Sequence, residues 1–235
     1  VNITYDLHIH SCLSPCGHED MTPNNIVNMA YIKGLDAIAV TDHNACAHVR
    51  VVSELATPLG LIVVPGMEVQ TREEVHVLCY FPTVEAIEAF DLALSKWKTT
   101  IKNNVKAFGH QTLMNHEDKV IGEVEIALIL SVDITINDLI DLVNQYKGVV
   151  VPAHVNKSAN SILMNLGFIP QDLNISTVEI YEKSDLNDRL LKGFRRIMNS
   201  DAHYLEMIHE PEYTMTTESK SIQSIIDYLS GKGQL

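Results

Sequence analysis

Residues 3–10 read ITYDLHIH, and this stretch decides how the rest of the chain is read. Ile3, Tyr5, Leu7 and Ile9 alternate with other residues at the two-residue period of a β-strand, on which i and i+2 share a face. His8 and His10 therefore reach toward one point, joined by Asp6 if the strand extends that far back. Two imidazoles aimed at one spot suit a divalent metal; they equally suit a pair of surface histidines on an edge strand. Taken alone, the motif leaves both readings open.

Working outward, the same design recurs. LDAIAVTDHN (35–44) is a short, nearly continuous apolar run that stops at polar residues, and LGLIVVPGMEV (59–69) repeats it. EVHVLCYF (74–81), KGVVVPAHV (147–155), STVEIYE (176–182) and RRIMNSDAH (195–203) complete about seven candidate strands. Helices are predicted between them. TPNNIVNMAYIKG (22–34) has Thr22 as N-cap, Pro23 at the first helical position and Gly34 past the end, with Ile26, Ala30 and Ile32 as its buried stripe. ITINDLIDLVNQYKG (134–148) has Thr135 as N-cap and Gly148 as its stop, and SIQSIIDYLSGKG (221–233) is amphipathic through Ile222, Ile225, Ile226 and Leu229. Apolar strands alternating with helices predict a parallel sheet covered by helices, and seven in one chain favour a barrel over an open sheet.

The polar residues then fall into register. His8 and His10 end the first strand, Asp42 and His43 the second, and Glu68 the third; His76 lies near the start of the fourth. His154 ends the fifth, and Asp201 with His203 ends the seventh. In a parallel barrel, strand ends share one rim, where active sites are built. A histidine or aspartate at any one strand end reads equally well as a cap, but six strand ends converging on metal-ligand chemistry predict a multinuclear metal site.

Composition narrows the function classes. The 235 residues carry 17 basic and 30 acidic side chains, a net charge of −13, which repels nucleic-acid phosphate at long range and disfavours non-specific nucleic-acid binding. An anionic substrate remains possible, because metal ions reverse the field inside one cleft. Cys12, Cys16, Cys46 and Cys79 show no C-x-x-C spacing and do not resemble a secreted disulfide scaffold. Apolar runs such as IALILSV (126–132) fall far short of a membrane span, and no signal peptide is visible, so a cytoplasmic protein without membrane partners is expected.

DLHIHS, AVTDHN, PGMEV, VHVLCYF, PAHV and NSDAH, in this order, resemble the motif series of the polymerase and histidinol phosphatase (PHP) superfamily. The resemblance covers about residues 3–82 and 148–204. It implies an α/β fold, a distorted (β/α)7 barrel, with two or three divalent metal ions (Zn, Mn or Fe) and metal-dependent phosphoester hydrolysis. By position, it implies that His8 and His10 bind a first metal with Glu68 and Asp201. Glu68 would bridge to a second metal completed by His76 and His154, while His43 and His203 would hold a third. Asp42 would sit beside the site, orienting a ligand or accepting a proton. Phosphate monoesters hydrolyse extremely slowly in water, so a hydroxide shared by clustered metals is the chemistry expected, with no protein nucleophile.

One departure stands out. The Ser-Asp-Gly that relatives carry after the first histidine pair is replaced here by SCLSPCGHEDMTP (11–23). Counting back from Pro23, the aspartate slot falls on His18; counting forward from His10, it falls nearer Cys16. His18 is expected to ligate a metal with His43 and His203, with Cys16 as the other candidate. Residues 83–135 carry no family motif and read as a helical cap inserted into a single domain spanning 1–235, with Val84, Ile87, Phe90 and Leu94 on one helix face. Among Arg72, Lys157 and Arg195, Lys157 is the best candidate for substrate binding because it follows His154 closely. The substrate expected is a small phosphorylated metabolite or nucleotide. A metal-dependent amidohydrolase or deacetylase is the alternative enzyme, and a non-catalytic metal-binding module the alternative outside catalysis.

Overall fold

The computed structural model describes residues 1–181 and 189–232; Glu182, the last residue of STVEIYE, lies outside them. The chain opens with β1 (Asn2–Ile9), α1 (Pro23–Lys33), β2 (Ala37–Val40), α2 (Val49–Ala56), β3 (Ile62–Val63), β4 (Gly66–Gln70) and β5 (His76–Tyr80). It continues through α3 (Val84–Leu94), α4 (Val105–Phe108), β6 (Thr112–Met114), β7 (Val120–Glu123), α5 (Ile136–Gln145) and β8 (Val149–Pro152). The last elements are α6 (Ile162–Leu166), β9 (Thr177–Glu179), β10 (Arg195–Ile197), β11 (Thr214–Thr216) and α7 (Ile222–Leu229).

Helix boundaries follow local chemistry. The Thr22 hydroxyl accepts the Asn25 amide at the start of α1, and Gly34 closes it at a φ of 78°. Pro23, Ile26, Val27 and Ala30 are its buried face. Ile32, expected in that stripe, is 76% exposed, because six residues past Ile26 puts it about 120° around the helix from that residue. Thr135 caps α5, but the helix ends at Gln145 and reaches Gly148 only through Lys147 in the left-handed region. Gly148 is needed for close approach: a Cβ there would stand 2.7 Å from the Tyr80 carbonyl oxygen.

The strands form four sheets, ordered β11-β1-β2-β3, β4-β5-β8, β9-β10 and β6-β7. Single bridges join Ile9 to Ala202 and His43 to Glu68, and no closed sheet is present among the described residues. The expected third strand splits at Val64-Pro65 into β3, parallel to β2, and β4. An all-parallel order does not hold either. The β4–β5 connection is a tight turn closed by Thr71 N–H on the Val75 carbonyl, too short for a crossover, so β5 runs antiparallel to both β4 and β8. This reversal brings His76, at the start of β5, to the same end as the termini of its neighbours.

One apolar cluster collects inward-facing side chains from three of these sheets: Ile3, Tyr5 and Leu7, Ala37 and Ala39, Leu78 and Tyr80, Val149 and Val151, and Ile197. Ile225, Ile226 and Leu229 of α7 join it, so this helix packs against the interior. The Tyr80 hydroxyl donates to the Leu7 carbonyl at 2.7 Å, which satisfies the one polar atom its ring carries into the apolar space. A second cluster lies between β4, β5 and β8 and the helices α3 and α5. Residues 83–135, expected as a helical cap, are helical only in α3, one tighter turn to Trp97 and the short α4; the β6–β7 hairpin follows rather than more helix. Ile87, Phe90 and Leu94 pack into the second cluster with Val84 against its edge, so α3 shares the core of the strands it follows.

Candidate metal centre

Six chain segments deliver polar side chains to one buried point. His8 and His10, both fully buried, meet with their Nε2 atoms 3.2 Å apart. The β1–β2 register shifts between Asp6 and Ile9, a bulge of the kind that re-aims side chains beside a site. Glu68 stands at the centre. Its Oε1 lies 2.9 Å from His76 Nδ1, 3.3 Å from His154 Nε2 and 3.4 Å from His8 Nε2. Its Oε2 lies 3.1 Å from His43 Nδ1 and 3.3 Å from His10 Nε2. Asp201 closes the opposite side, with Oδ1 3.2 Å from His10 Nε2 and 3.3 Å from His8 Nε2. His154 and Asp201 hold positive φ values of 28° and 51°, a costly backbone for residues other than glycine that clusters at functional sites.

These donors suit a metal better than they suit one another. Both Glu68 oxygens and His43 Nδ1 are buried without a properly directed hydrogen bond, which is expensive in a protein interior unless something else satisfies them. Four sets of ligand atoms lie within 4.8 Å of one another: His8, His10 and Asp201; His10, His43 and Glu68; Glu68, His76 and His154; and His10, Cys16 and His203. Mixed imidazole and carboxylate sets of this kind fit Zn, Fe or Mn.

Electrostatics tell the same story. Burial opposes a charged His8, yet Glu179, Asp201 and Glu68 together hold its pKa well above the usual imidazole range. His10 is likewise disfavoured by burial but raised to about 9 by Asp201 and Glu68. Burial, with His10 and His76 alongside, drives His43 well down, and burial with His10 lowers His203 to about 4. Against the pull of burial, the surrounding imidazoles hold the Glu68 and Asp201 carboxyls well below the carboxylate range. The site demands positive charge, and protons supply it where no ion does.

A second layer fixes the ring orientations. Glu179, at the end of β9, receives His8 Nδ1 at 3.0 Å, the His154 amide at 2.7 Å and the Asn199 side-chain amide at 2.8 Å. On the other side, Asp42 Oδ1 accepts the Ser11 amide at 2.8 Å and the Ser14 hydroxyl at 2.7 Å, and Oδ2 accepts the Ser11 hydroxyl at 2.6 Å. The Met114 amide donates to His48 Nε2, so His48 Nδ1 carries the proton and donates to Ser11 Oγ at 2.8 Å. Ser14 Oγ, its own hydrogen committed to Asp42, accepts from His10 Nδ1 at 3.1 Å and from the His43 amide at 3.0 Å. When a metal takes the place of the Nε2 proton, His10 keeps its Nδ1–H on Ser14 and offers its Nε2 lone pair on the side of Glu68 and Asp201.

A family model described as the PHP domain matches residues 6–210. This chain belongs to the PHP domain family. The PHP domain is 30% identical over 77 residues to a 5′-3′ exoribonuclease of Haemophilus influenzae, a match covering 32% of this chain and 27% of that protein. It superposes on the lesion-specific endonuclease Q of Pyrococcus furiosus with a TM-score of 0.71 at 18% identity, covering 99% of this chain and 57% of that one. A candidate metal-dependent phosphoesterase of Bifidobacterium adolescentis matches with a TM-score of 0.61 at 18% identity, over 98% of this chain and 96% of its own. The likeness to the two solved structures is one of fold. This chain spans under a third of the exoribonuclease and little more than half of the endonuclease.

Within the PHP domain, the structure brings together His8, His10, His43, Glu68, His76, His154 and Asp201, and places His203 at the edge, stacked on His10 with ring centroids 4.6 Å apart. His18 is not brought in. Its side chain is 40% exposed, its ring lies against Tyr204, and Nδ1 pairs with Asp20 at 3.4 Å. The reason is the loop: consecutive turns carry the chain from Ser11 to Gly17, and the His18 amide then bonds the His203 carbonyl at 2.9 Å. Cys16, not His18, is swung toward the cluster, where burial and the carboxylates of Glu68, Asp42 and Asp201 push its thiol up. His43 joins His10 and Glu68 rather than a set of its own with His203.

Asp42 stands two hydrogen bonds behind His10, with Ser14 between them, and outside all four ligand sets. Asp6 stays out of the cluster and accepts the Ser200 and His209 amides instead, which pins the segment carrying Asp201 and His203. Lys157 Nζ reaches Asp201 Oδ2 at 2.5 Å and lies over the Tyr181 ring, with its side chain 30% exposed. Arg72 pairs with Asp133 and Arg195 stacks on Tyr228, both away from the cluster. Glu179 was not singled out in the sequence. The available signal was an acidic residue in an otherwise apolar strand, at the place where the other strands carry ligands.

Proposed function

We propose that this PHP domain hydrolyses phosphoesters using divalent metal ions held by His8, His10, His43, Glu68, His76, His154 and Asp201. The observation that carries the reading is Glu68: a buried carboxylate with no directed hydrogen bond, facing five imidazole nitrogens at 2.9–3.4 Å. His8, His10 and Asp201 form one ligand set, while Glu68 belongs to two others, one with His76 and His154 and one with His10 and His43. Ions bound there supply positive charge for the phosphoryl oxygens and acidify a water for attack. The protein's part is orientation and charge. Glu179 fixes the His8 ring, Asp42 acts through Ser14 on His10, and Lys157 waits at the open edge to meet an anionic substrate. The bridges Ile9–Ala202 and His43–Glu68, with the shared interior cluster, support reading the sheets as arcs of a distorted seven-stranded barrel in one domain. All four cysteines are free, which suits the reducing cytoplasm.

For the substrate we favour a small phosphomonoester or nucleotide, because the net charge of −13 works against holding a long polyanion. A nucleic-acid phosphodiester is the second reading, favoured by the local identity to an exoribonuclease. The test is a phosphate-release screen across sugar phosphates, nucleotides and short oligonucleotides, each with added Zn, Mn or Fe and again with chelator. Chelator-sensitive release from a phosphoester is the expected result. Acyl hydrolysis with no phosphoester cleavage by the metal-loaded protein would replace this reading with the amidohydrolase one.

A further inference from the structure

We propose that Cys16 ligates a metal ion as a thiolate, beside His203, at the solvent edge of the cluster. This assignment rests on the metal-centre reading above. Three observations carry it. The first is convergence: Cys16 Sγ lies with ligand nitrogens of His10 and His203 inside one 4.8 Å set, while Cys12, Cys46 and Cys79 belong to no such set among the described residues.

The second is that the loop is built to hold that position. Ser14 N–H bonds the Ser11 carbonyl at 3.1 Å, Gly17 N–H bonds the Ser14 carbonyl at 2.9 Å, and His18 N–H bonds the His203 carbonyl at 2.9 Å. Gly17 is seated so tightly that a Cβ would lie 2.2 Å from the Ser11 carbonyl oxygen, so the turn that presents Cys16 requires glycine there. The third is the state of His203. Its Nδ1 is 2.7 Å from the Asp201 carbonyl oxygen, which only an N–H can satisfy, so Nε2 keeps its lone pair. Ligating histidines are commonly held in this way.

The chemistry of this edge differs from that of the interior. His10 Nε2 can serve only one ion, so an edge ion has Cys16 and His203 as its own ligands and takes its remaining partners from solvent or substrate. His203 is 26% exposed, against full burial of His10, which puts the open coordination positions where an anion would arrive. A thiolate favours Zn, Co or Fe over the harder Mn and Mg, whereas the carboxylate-rich interior accepts either kind. The centre is therefore mixed, with a soft outer site beside harder inner ones.

The full chain, freed of metal with chelator and titrated with cobalt(II), tests this by absorption spectroscopy. A sulfur-to-cobalt charge-transfer band should appear, and Cys16→Ser should lose the band together with one equivalent of bound metal. Cys16→Asp should keep that equivalent and lack the band, while Cys12→Ser should keep both. In the wild-type chain, zinc should protect one thiol from a thiol-reactive dye, a readout that depends on no variant folding. Cobalt uptake with no charge-transfer band, or a band unchanged in Cys16→Ser, would overturn the inference and leave the inner metal sites standing. No cobalt uptake at all would overturn the metal-centre reading and this inference with it.

Discussion

Asp42→Asn is the sharpest probe of the machinery behind the ligands, because it keeps shape and removes only charge and acceptor capacity. The carboxylate accepts three hydrogen bonds, two at Oδ1 and one at Oδ2, in a buried position. An amide can keep its oxygen toward the Ser11 amide and the Ser14 hydroxyl, but its NH2 then faces Ser11 Oγ. That hydroxyl already accepts from His48 Nδ1, whose tautomer is set by the Met114 amide on Nε2. The Ser11 hydrogen is left without an acceptor in a dry place. A buried unsatisfied donor costs about 1–3 kcal/mol, and the two surviving bonds lose the extra strength of a charged acceptor. Together these amount to roughly 2–4 kcal/mol, which lowers Tm by on the order of 5–15 °C for a chain of this size.

The effect on metal is separate. With Ser14 less firmly held, His10 is less firmly fixed as the tautomer that offers Nε2, and loss of such an outer partner weakens metal binding by about 10- to 100-fold. The assay is a competition titration against a chelating dye, beside scanning calorimetry with and without metal. Asp42→Asn should bind the full number of ions, the one held by His10 more weakly, and should melt earlier. Ser14→Ala should reproduce the metal effect with a smaller loss of stability. Wild-type affinity and Tm in Asp42→Asn would refute the relay, and loss of a whole equivalent would make Asp42 a direct ligand.

Other expectations follow from the same geometry. Glu68→Gln, which replaces an anionic centre with a neutral donor–acceptor amide, should lower bound metal by at least one ion and remove most phosphoesterase activity; plasma emission analysis and turnover measure both. Glu179→Gln should weaken metal binding about 10- to 100-fold without changing stoichiometry, because His8 loses its anionic anchor. Metal uptake should release protons: His8 and His10 are held protonated by Glu179, Asp201 and Glu68 in the metal-free protein, yet only neutral imidazole binds metal. Binding should therefore weaken as pH falls, and its calorimetric enthalpy at neutral pH should vary with the ionisation enthalpy of the buffer. Chelation should lower Tm, since ions that bind only the folded state add about 2.7 kcal/mol at a free concentration 100 times Kd.

The residues that meet at the centre were readable in the sequence because each interrupts an apolar strand. Apolar strands in a covered sheet have no other reason to end in His or Glu, so the pattern survives even where the strand directions were misjudged. His76 shows this well. Its strand runs opposite to the parallel order expected, yet it reaches the same cluster because it sits at the start of a reversed strand. The error in the loop has a different cause. Counting residues from His10 or from Pro23 treats the chain as a ruler, but two consecutive turns between Ser11 and Gly17 shorten the path, so the position that faces the cluster is Cys16.

Apart from Asp42, which the family resemblance put beside the site, the layer behind the ligands was not readable, and the reason is physical. The relay from Met114 through His48, Ser11, Asp42 and Ser14 to His10 joins residues from separate stretches of chain, with no period to reveal it. Each member alone is an ordinary loop serine, a helix-entry histidine or a strand-end aspartate, and its role exists only through the direction of the hydrogen bond it shares. Direction is fixed at two ends, by a backbone amide that can only donate and a carboxylate that here only accepts. Between them, each hydroxyl has a single orientation left. The Met114 amide belongs to the β6–β7 hairpin, within the stretch where the sequence shows no family motif, so that stretch touches the outer end of this relay. Any change in the hairpin that withdraws that amide frees His48 to exchange tautomers, and Ser11 then gains a second acceptor that competes with Asp42.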